Sequence, residues 1–267
     1  MENTARQPAL FLGHGSPMTV ITDNAERRAL EELGRRLPRP DAVLLVTAHW
    51  ETHGETRLTA GAYPRTIHDF RGFPQELYEI SYAAPGALAL AHRAASLIGE
   101  GAVLDEEMGL DHGVWGVLRP MFPEADIPVV AMSVDMSLPP EGHLALGAAL
   151  APLRDENVLI AGSGNIIHNL ALWRQSAGTV PAWADSFRNR MNAALRGGDE
   201  TSLTQFAAED EEARAAINSG EHYLPLLYPL GARGEEDDVA IFNDSIDGSL
   251  SMTSVLWGDA RLAERLQ

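Results

Sequence analysis

Cysteine is absent from these 267 residues, so disulfides, thiolate metal ligands and cysteine nucleophiles are all excluded. Any metal site must draw on His, Asp and Glu, a donor set suited to iron, zinc or manganese rather than to soft metals. Lysine is absent too: the 20 basic residues are all arginine, against 38 Asp and Glu, for a formal net charge of -18. So acidic a chain lacks the basic face that a phosphate backbone requires, which argues against nucleic acid as a partner. A GC-rich genome accounts for arginine in place of lysine, and a high-salt habitat is a second explanation for the acidity. No apolar run approaches the ~18 residues of a membrane span. The opening MENTARQPALFLGHGSP has neither the charged start nor the long apolar core of a signal peptide. These features predict a cytoplasmic protein with no membrane contact. No coiled-coil repeat or interface stripe fixes the oligomeric state.

What is present is an alternation of short apolar runs and helical patterns. Residues 8–12, 42–48, 127–134 and 157–162 read as strands, with 58–62 and 103–104 as shorter ones and 239–242 and 249–255 as closing strands. The run AVLLVTA at 42–48 is apolar without alternation, as in a strand buried on both faces of a parallel sheet. Helices are expected over 23–37, 86–99, 142–154, 183–195 and 201–217. Residues 63–82 form a structured loop with five aromatics, suited to walling a pocket or to packing as a satellite core. The fold class expected is α/β: a single domain spanning 1–267, with a central, mostly parallel or mixed sheet and helices on both faces.

Four histidines stand out by context: His14 in LGHGSP, His49 in VTAHW, His168 in GSGNIIHNL and His222 in EHYLP. The first three follow apolar runs, at the strand ends that line the ligand crevice of an open α/β sheet. Imidazoles delivered there from distant parts of the chain can converge on one metal ion, although no compact signature such as HExxH is present. The glycines flanking His14 permit close approach, and a polar group at the end of so apolar a strand as that of His49 needs a partner. His112 adjoins Asp111, read as a helix N-cap, and His68 adjoins Asp69 in the aromatic loop as a further substrate contact. His53, His92 and His143 read as surface residues. Ser16 and Ser163 do not fit the G-x-S-x-G nucleophile elbow, which disfavours a serine hydrolase. Glu221, beside His222, reads as a carboxylate ligand or a cap. Phe70, Phe73, Trp115 and Tyr223 are candidate pocket walls, with core packing as the alternative.

The segments PALFLGHGSPM, VTAHW, TIHDFRGFP, DHGVWGVL, SGNIIHNL and EHYLPLLY, in this order, resemble the class III extradiol ring-cleavage dioxygenases. Within that family the similarity is to the 4,5-DOPA extradiol dioxygenase branch of bacteria and plants, and it runs from about Pro8 to Val255. The resemblance implies His14, His49 and His222 as metal ligands, where more distant relatives carry Glu at the third position. It implies His168 as the acid/base residue, close enough to serve as a fourth ligand, and His112 as a catalytic residue lining the substrate pocket. Fe(II) is the working metal it implies, a catechol and O2 are the reactants, and a muconic semialdehyde is the product type. Three neutral ligands leave the site more positive than a two-His, one-carboxylate centre, so Zn(II) can occupy it readily. Two alternatives remain at this level: a zinc-dependent hydrolase on the same scaffold, and a catalytically idle metal- or catechol-binding protein.

Overall fold

A computed structural model describes residues 6–176, 178–207 and 209–264. The strands are β1 (Ala9–Gly13), β2 (Ala42–Thr52), β3 (Thr56–Thr59), β4 (Ala102–Asp105), β5 (Val129–Asp135), β6 (Val158–Gly164), β7 (Asp238–Phe242), β8 (Ile246–Asp247), β9 (Leu250–Ser251) and β10 (Ser254–Gly258). Eight form one sheet in the order β4-β3-β5-β2-β6-β1-β10-β7, and β8 and β9 form a separate hairpin. The central strands β5, β2, β6 and β1 are mutually parallel, while β3 against β5, and β10 against both β1 and β7, run antiparallel. The sheet is therefore mixed with a parallel centre, as the unalternating apolar runs predict.

Those runs feed two cores because successive side chains point to opposite faces. Leu10, Leu12, Val43, Leu45 and Leu159 enter one core, where Leu30 and Leu33 of the helix Ala25–Arg36 and Val114 and Leu118 of the helix His112–Met121 meet them. Phe11, Leu44, Val46 and Ile160 enter the other, against Leu90, Leu150, Phe187 and Leu230 from the helices Leu88–Ile98, Pro140–Leu150, Ala182–Gly197 and Leu227–Ala232. Each fully buried Leu or Phe contributes roughly 1.5–3 kcal/mol relative to exposure. The helix Ala25–Arg36 starts where Asn24 accepts from the Arg27 N–H at 2.8 Å and stops before Pro38.

Four expectations need correction. β2 does not end at Ala48: it continues to Thr52 through a register irregularity between Val46 and Glu51. Residues 249–255 are not one strand; they pass from β9 through Met252 and Thr253 into β10. The helix expected over 201–217 is two short helices, Glu200–Thr204 and Glu211–Ile217, and Asp210 caps the second by accepting from the Ala213 N–H; Ala208 lies outside the described residues. His143 is not a surface residue. It is 0% exposed, with Nδ1 2.9 Å from Tyr228 Oη, because the helix Pro140–Leu150 turns that face onto the helix Leu227–Ala232. Among the described residues no helix is long and apolar enough to cross a membrane.

Candidate metal centre

Five histidines gather at the carboxyl ends of the parallel strands. His14 directly follows β1, and Gly15 turns the chain sharply with φ +56°. His49 lies in the irregular stretch of β2, beyond the last residue paired to β6; a bulge of this kind re-aims a side chain at a sheet rim. His112 opens the helix His112–Met121, capped by Asp111, whose Oδ1 accepts from the Gly113 and Val114 N–H groups and the Thr47 hydroxyl. His168 lies beyond β6 and bridges Leu250. His222 is brought to the sheet by the close approach of its backbone to Gly164: a Cβ there would collide with the His222 carbonyl, and the next N–H, that of Asn165, donates to that carbonyl at 2.8 Å.

The rings are mutually close. The centroids of His14, His49 and His222 are 4.9, 5.2 and 5.1 Å apart pairwise, and His112 is 4.0 Å from His49. The candidate ligand atoms of His14, His49 and His112 all lie within 4.8 Å of one another, as do those of His168, Glu221 and His222. The outer nitrogens of His14, His49, His112 and His222 are engaged. The Ser163 hydroxyl donates its one proton to the Gly113 carbonyl (2.6 Å), so at 2.9 Å it accepts from His14 Nδ1–H. Asp69 Oδ2 accepts from Nδ1 of both His49 (2.6 Å) and His112 (2.8 Å), and Asp69 Oδ1 from the His112 backbone N–H. Glu221 Oε1 accepts from His222 Nδ1 at 2.9 Å. Carboxylates and a committed hydroxyl on Nδ1 set the tautomers, leaving each Nε2 as a lone pair facing inward. This is how outer partners orient metal-ligating imidazoles.

This donor set fits a divalent cation. Nε2 of His49 and Nε2 of His222 stand 3.2 Å apart, and two lone pairs at that distance need a cation or a proton between them. Burial lowers His222 to a pKa of about 4 and, with the neighbouring histidines, holds His14 well below its usual value. Burial also lowers His112 in spite of Asp69. Burial opposes the charged form of His49 as well, but the Asp69 hydrogen bond and the charges of Asp111, Asp69 and Glu221 outweigh it and raise the pKa. The Asp69 carboxyl, although burial pushes it upward, is held well below the usual carboxylate range by His112 and His49. Without a metal, a proton on His49 shared with His222 satisfies this geometry; a divalent cation does so with neutral imidazoles.

A cavity of about 580 Å³ opens onto the cluster. Its walls include His14, His49, His112, His168 and His222, with Phe70 and Phe73 from the aromatic loop and Pro17, Met18, Leu170, Trp173, Leu250 and Met252 from elsewhere. Of the expected walls, Phe70 and Phe73 face this cavity and Trp115 and Tyr223 do not. Trp115 is 0% exposed, its indole N–H given to the Ile67 carbonyl; Tyr223 is buried against Phe206, its hydroxyl donating to the Leu203 carbonyl. Both are core residues. His68 is also outside the cavity walls, its Nε2 bonded to the Ile80 carbonyl. His53 and His92 are exposed, as expected.

Sequence reasoning missed the orienting role of Asp69 and Ser163, and left Glu221 between two roles. Their signal was adjacency: Asp69 lies in the loop after a histidine, Ser163 at a strand end, Glu221 beside a ligand candidate. Met252, Leu250 and Trp173 carried none: the first two reach the cavity through the β8–β9 hairpin and the turn that follows it, and Trp173 from the helix Leu170–Ser176.

Residues 8–252 match the family model described as the catalytic LigB subunit of aromatic ring-opening dioxygenase. The chain is 46% identical over 263 residues to the 4,5-DOPA dioxygenase extradiol of Escherichia coli (strain K12), covering 96% of each chain. It is 37% identical to the protein of the same name from Beta vulgaris, over 90% of this chain and 92% of that one. Among solved structures, an uncharacterized protein of Escherichia coli K12 superposes with a TM-score of 0.78 at 40% identity, covering 95% of this chain and 100% of that one.

Proposed function

The chain belongs to the family of the catalytic LigB subunit of aromatic ring-opening dioxygenase, an extradiol ring-opening enzyme, and from this premise we propose that it opens a catechol with O2 to a muconic semialdehyde-type product. Fe(II) is the working metal of this reading, held by His14, His49 and His222 through Nε2. The observation that carries it is the inward convergence of nitrogens whose outer partners are already fixed: Ser163, Asp69 and Glu221. His112 shares Asp69 with His49 and is assigned to the substrate, with His168 as the acid/base. When bound, Fe(II) supplies the redox chemistry that joins O2 to a catechol, which redox-inert Zn(II) does not.

The remaining steps belong to side chains. Phe70 and Phe73 take the ring face and keep water from it. The catechol must shed hydroxyl protons. His168, kept neutral by burial and by His222, can accept one on a ring nitrogen. Once charged, the same ring can return the proton to an oxygen of the opening ring. His112 Nε2, its ring held from behind by Asp69, is aimed to accept from the second hydroxyl.

The test is anaerobic reconstitution of metal-free protein with Fe(II) or Zn(II), followed by oxygenated catechols, recording oxygen uptake and a yellow semialdehyde chromophore. Iron-dependent uptake with the chromophore supports ring opening. No uptake across a catechol panel at full iron occupancy overturns it in favour of a zinc hydrolase or an idle binder on this scaffold.

A further inference from the structure

One stretch of the cavity wall has no part in the chemistry above. The β8–β9 hairpin docks on the helix Leu170–Ser176: the Asn169 N–H donates to the Ser249 carbonyl at 3.1 Å, and the Ser249 hydroxyl returns a bond to the Asn169 carbonyl at 2.8 Å. At its tip Gly248, with φ +58°, presses against Trp173 and Ser176, where a side chain would not fit. The Trp173 indole N–H donates to Asp247 Oδ2 at 3.0 Å, which fixes the carboxylate beside the ring. Asp247 and Trp173 both line the cavity that holds the five histidines.

The other oxygen, Asp247 Oδ1, has no partner among the described residues. Asp247 pairs with Leu250 across the hairpin and Leu250 bridges His168. Two such steps put the Asp247 backbone on the order of 10 Å from that of His168. A catechol that meets the histidines with its hydroxyls points the opposite edge of its ring, and any tail on it, away from them. Among the described residues no arginine lines this cavity, and its charged groups other than histidine are Asp69 and Asp247. Asp69 is committed to two imidazoles, whereas Asp247 is available. A fixed carboxylate beside a half-exposed indole is a pairing that favours an ammonium group, through the charge and through the ring face. The net charge of -18 biases encounter the same way.

We propose that Asp247 and Trp173 form a subsite for a cationic amine on the tail of the catechol, so that aminoalkyl catechols are preferred over neutral and carboxylate-tailed ones. This rests on the reading of the histidine cluster as the catechol site. Asp247→Asn removes the charge while keeping an oxygen to accept from Trp173.

The test uses the zinc-loaded protein under anaerobic conditions, so that binding is read without turnover, with dopamine, 4-ethylcatechol and 3,4-dihydroxyphenylpropionate titrated by calorimetry. Dopamine is expected to bind about tenfold more tightly than 4-ethylcatechol, with the propionate weakest. In Asp247→Asn the ratio between the first two falls to near one, and KM values of the iron-loaded enzyme follow the same order. Equal affinity for all three tails, or a preference that survives Asp247→Asn, overturns the amine subsite and leaves ring opening intact. Failure of every catechol to bind or to be opened removes the catechol reading and the subsite with it.

Discussion

The imidazole of His168 lies flat on that of His222, their centroids 3.5 Å apart and their planes within 11° of parallel. Among the described residues no hydrogen bond holds either ring nitrogen of His168, which leaves both available for proton transfer. His222, by contrast, is anchored through Nδ1 by Glu221. His168→Ala is therefore expected to retain the metal and lose turnover by about 10²–10⁴-fold, the usual worth of a general acid/base. His49→Ala should lose the metal itself. Metal content by elemental analysis, set beside kcat, separates the two; an empty site in His168→Ala would make His168 a fourth ligand.

Asp69 holds two rings with one oxygen. Asp69→Asn leaves a side chain of the same shape but removes the charge that fixes both Nδ1–H tautomers. Loss of such an outer partner typically weakens metal affinity about 10–100-fold. Competition against a chelator should show that loss, and Asp69→Ala should lose more than Asp69→Asn. An unchanged affinity in both variants would mean that Asp69 does not orient His49.

Gly164 is the place where β6 passes under the backbone of His222. Gly164→Ala puts a methyl into the His222 carbonyl, and overpacking of this kind costs about 1–3 kcal/mol. The displacement falls on a ligand, so chelator competition should register it along with the melting temperature. Gly197→Ala, on an open surface, is the control.

How far the sequence carried this site depends on what each residue's signal was. Polar residues at the ends of apolar strands are conspicuous, and His14, His49 and His168 were visible for that reason. Trp115 and Tyr223 lie close in sequence to His112 and His222, but closeness along the chain does not give direction. Tyr223 follows His222 in a helical turn, where successive side chains diverge by about 100°, and it points into the core. Trp115 shares a helix face with His112 but lies a turn deeper, under the aromatic loop. The wall from the β8–β9 hairpin was hidden because residues 249–255 read as one strand. Nothing local marks the kink that lays Met252 over Gly13.

His143 was misread for a related reason: its helix is apolar around most of its circumference, so the pattern does not show which side is buried. Burial lowers its pKa to about 4, from about 6.5 in the unfolded chain. The unfolded state therefore binds the proton more readily. The stability due to neutral His143 is complete above about pH 6.5, is lost as pH falls toward about 4, and changes no further below that. The shift corresponds to about 3 kcal/mol. Chemical denaturation of the wild type and His143→Gln between pH 4 and pH 8 should show the two stability curves diverging across this window. Parallel curves would mean that His143 binds its proton equally well in the folded and unfolded states.

The positions of His14 and His222 along the chain have a consequence for handling the protein. An ion gripping both would close a loop of about 200 residues, and closing a loop that long removes more freedom from an unfolded chain than closing a short one. The same ion would tie the first strand to the segment ahead of the last four strands. A polypeptide lacking either His14 or His222 cannot assemble the grip, so metal would stabilise only chains that carry both. Stocks prepared with chelator should accordingly be more easily nicked by proteases than stocks given metal, at cleavage points far from any histidine.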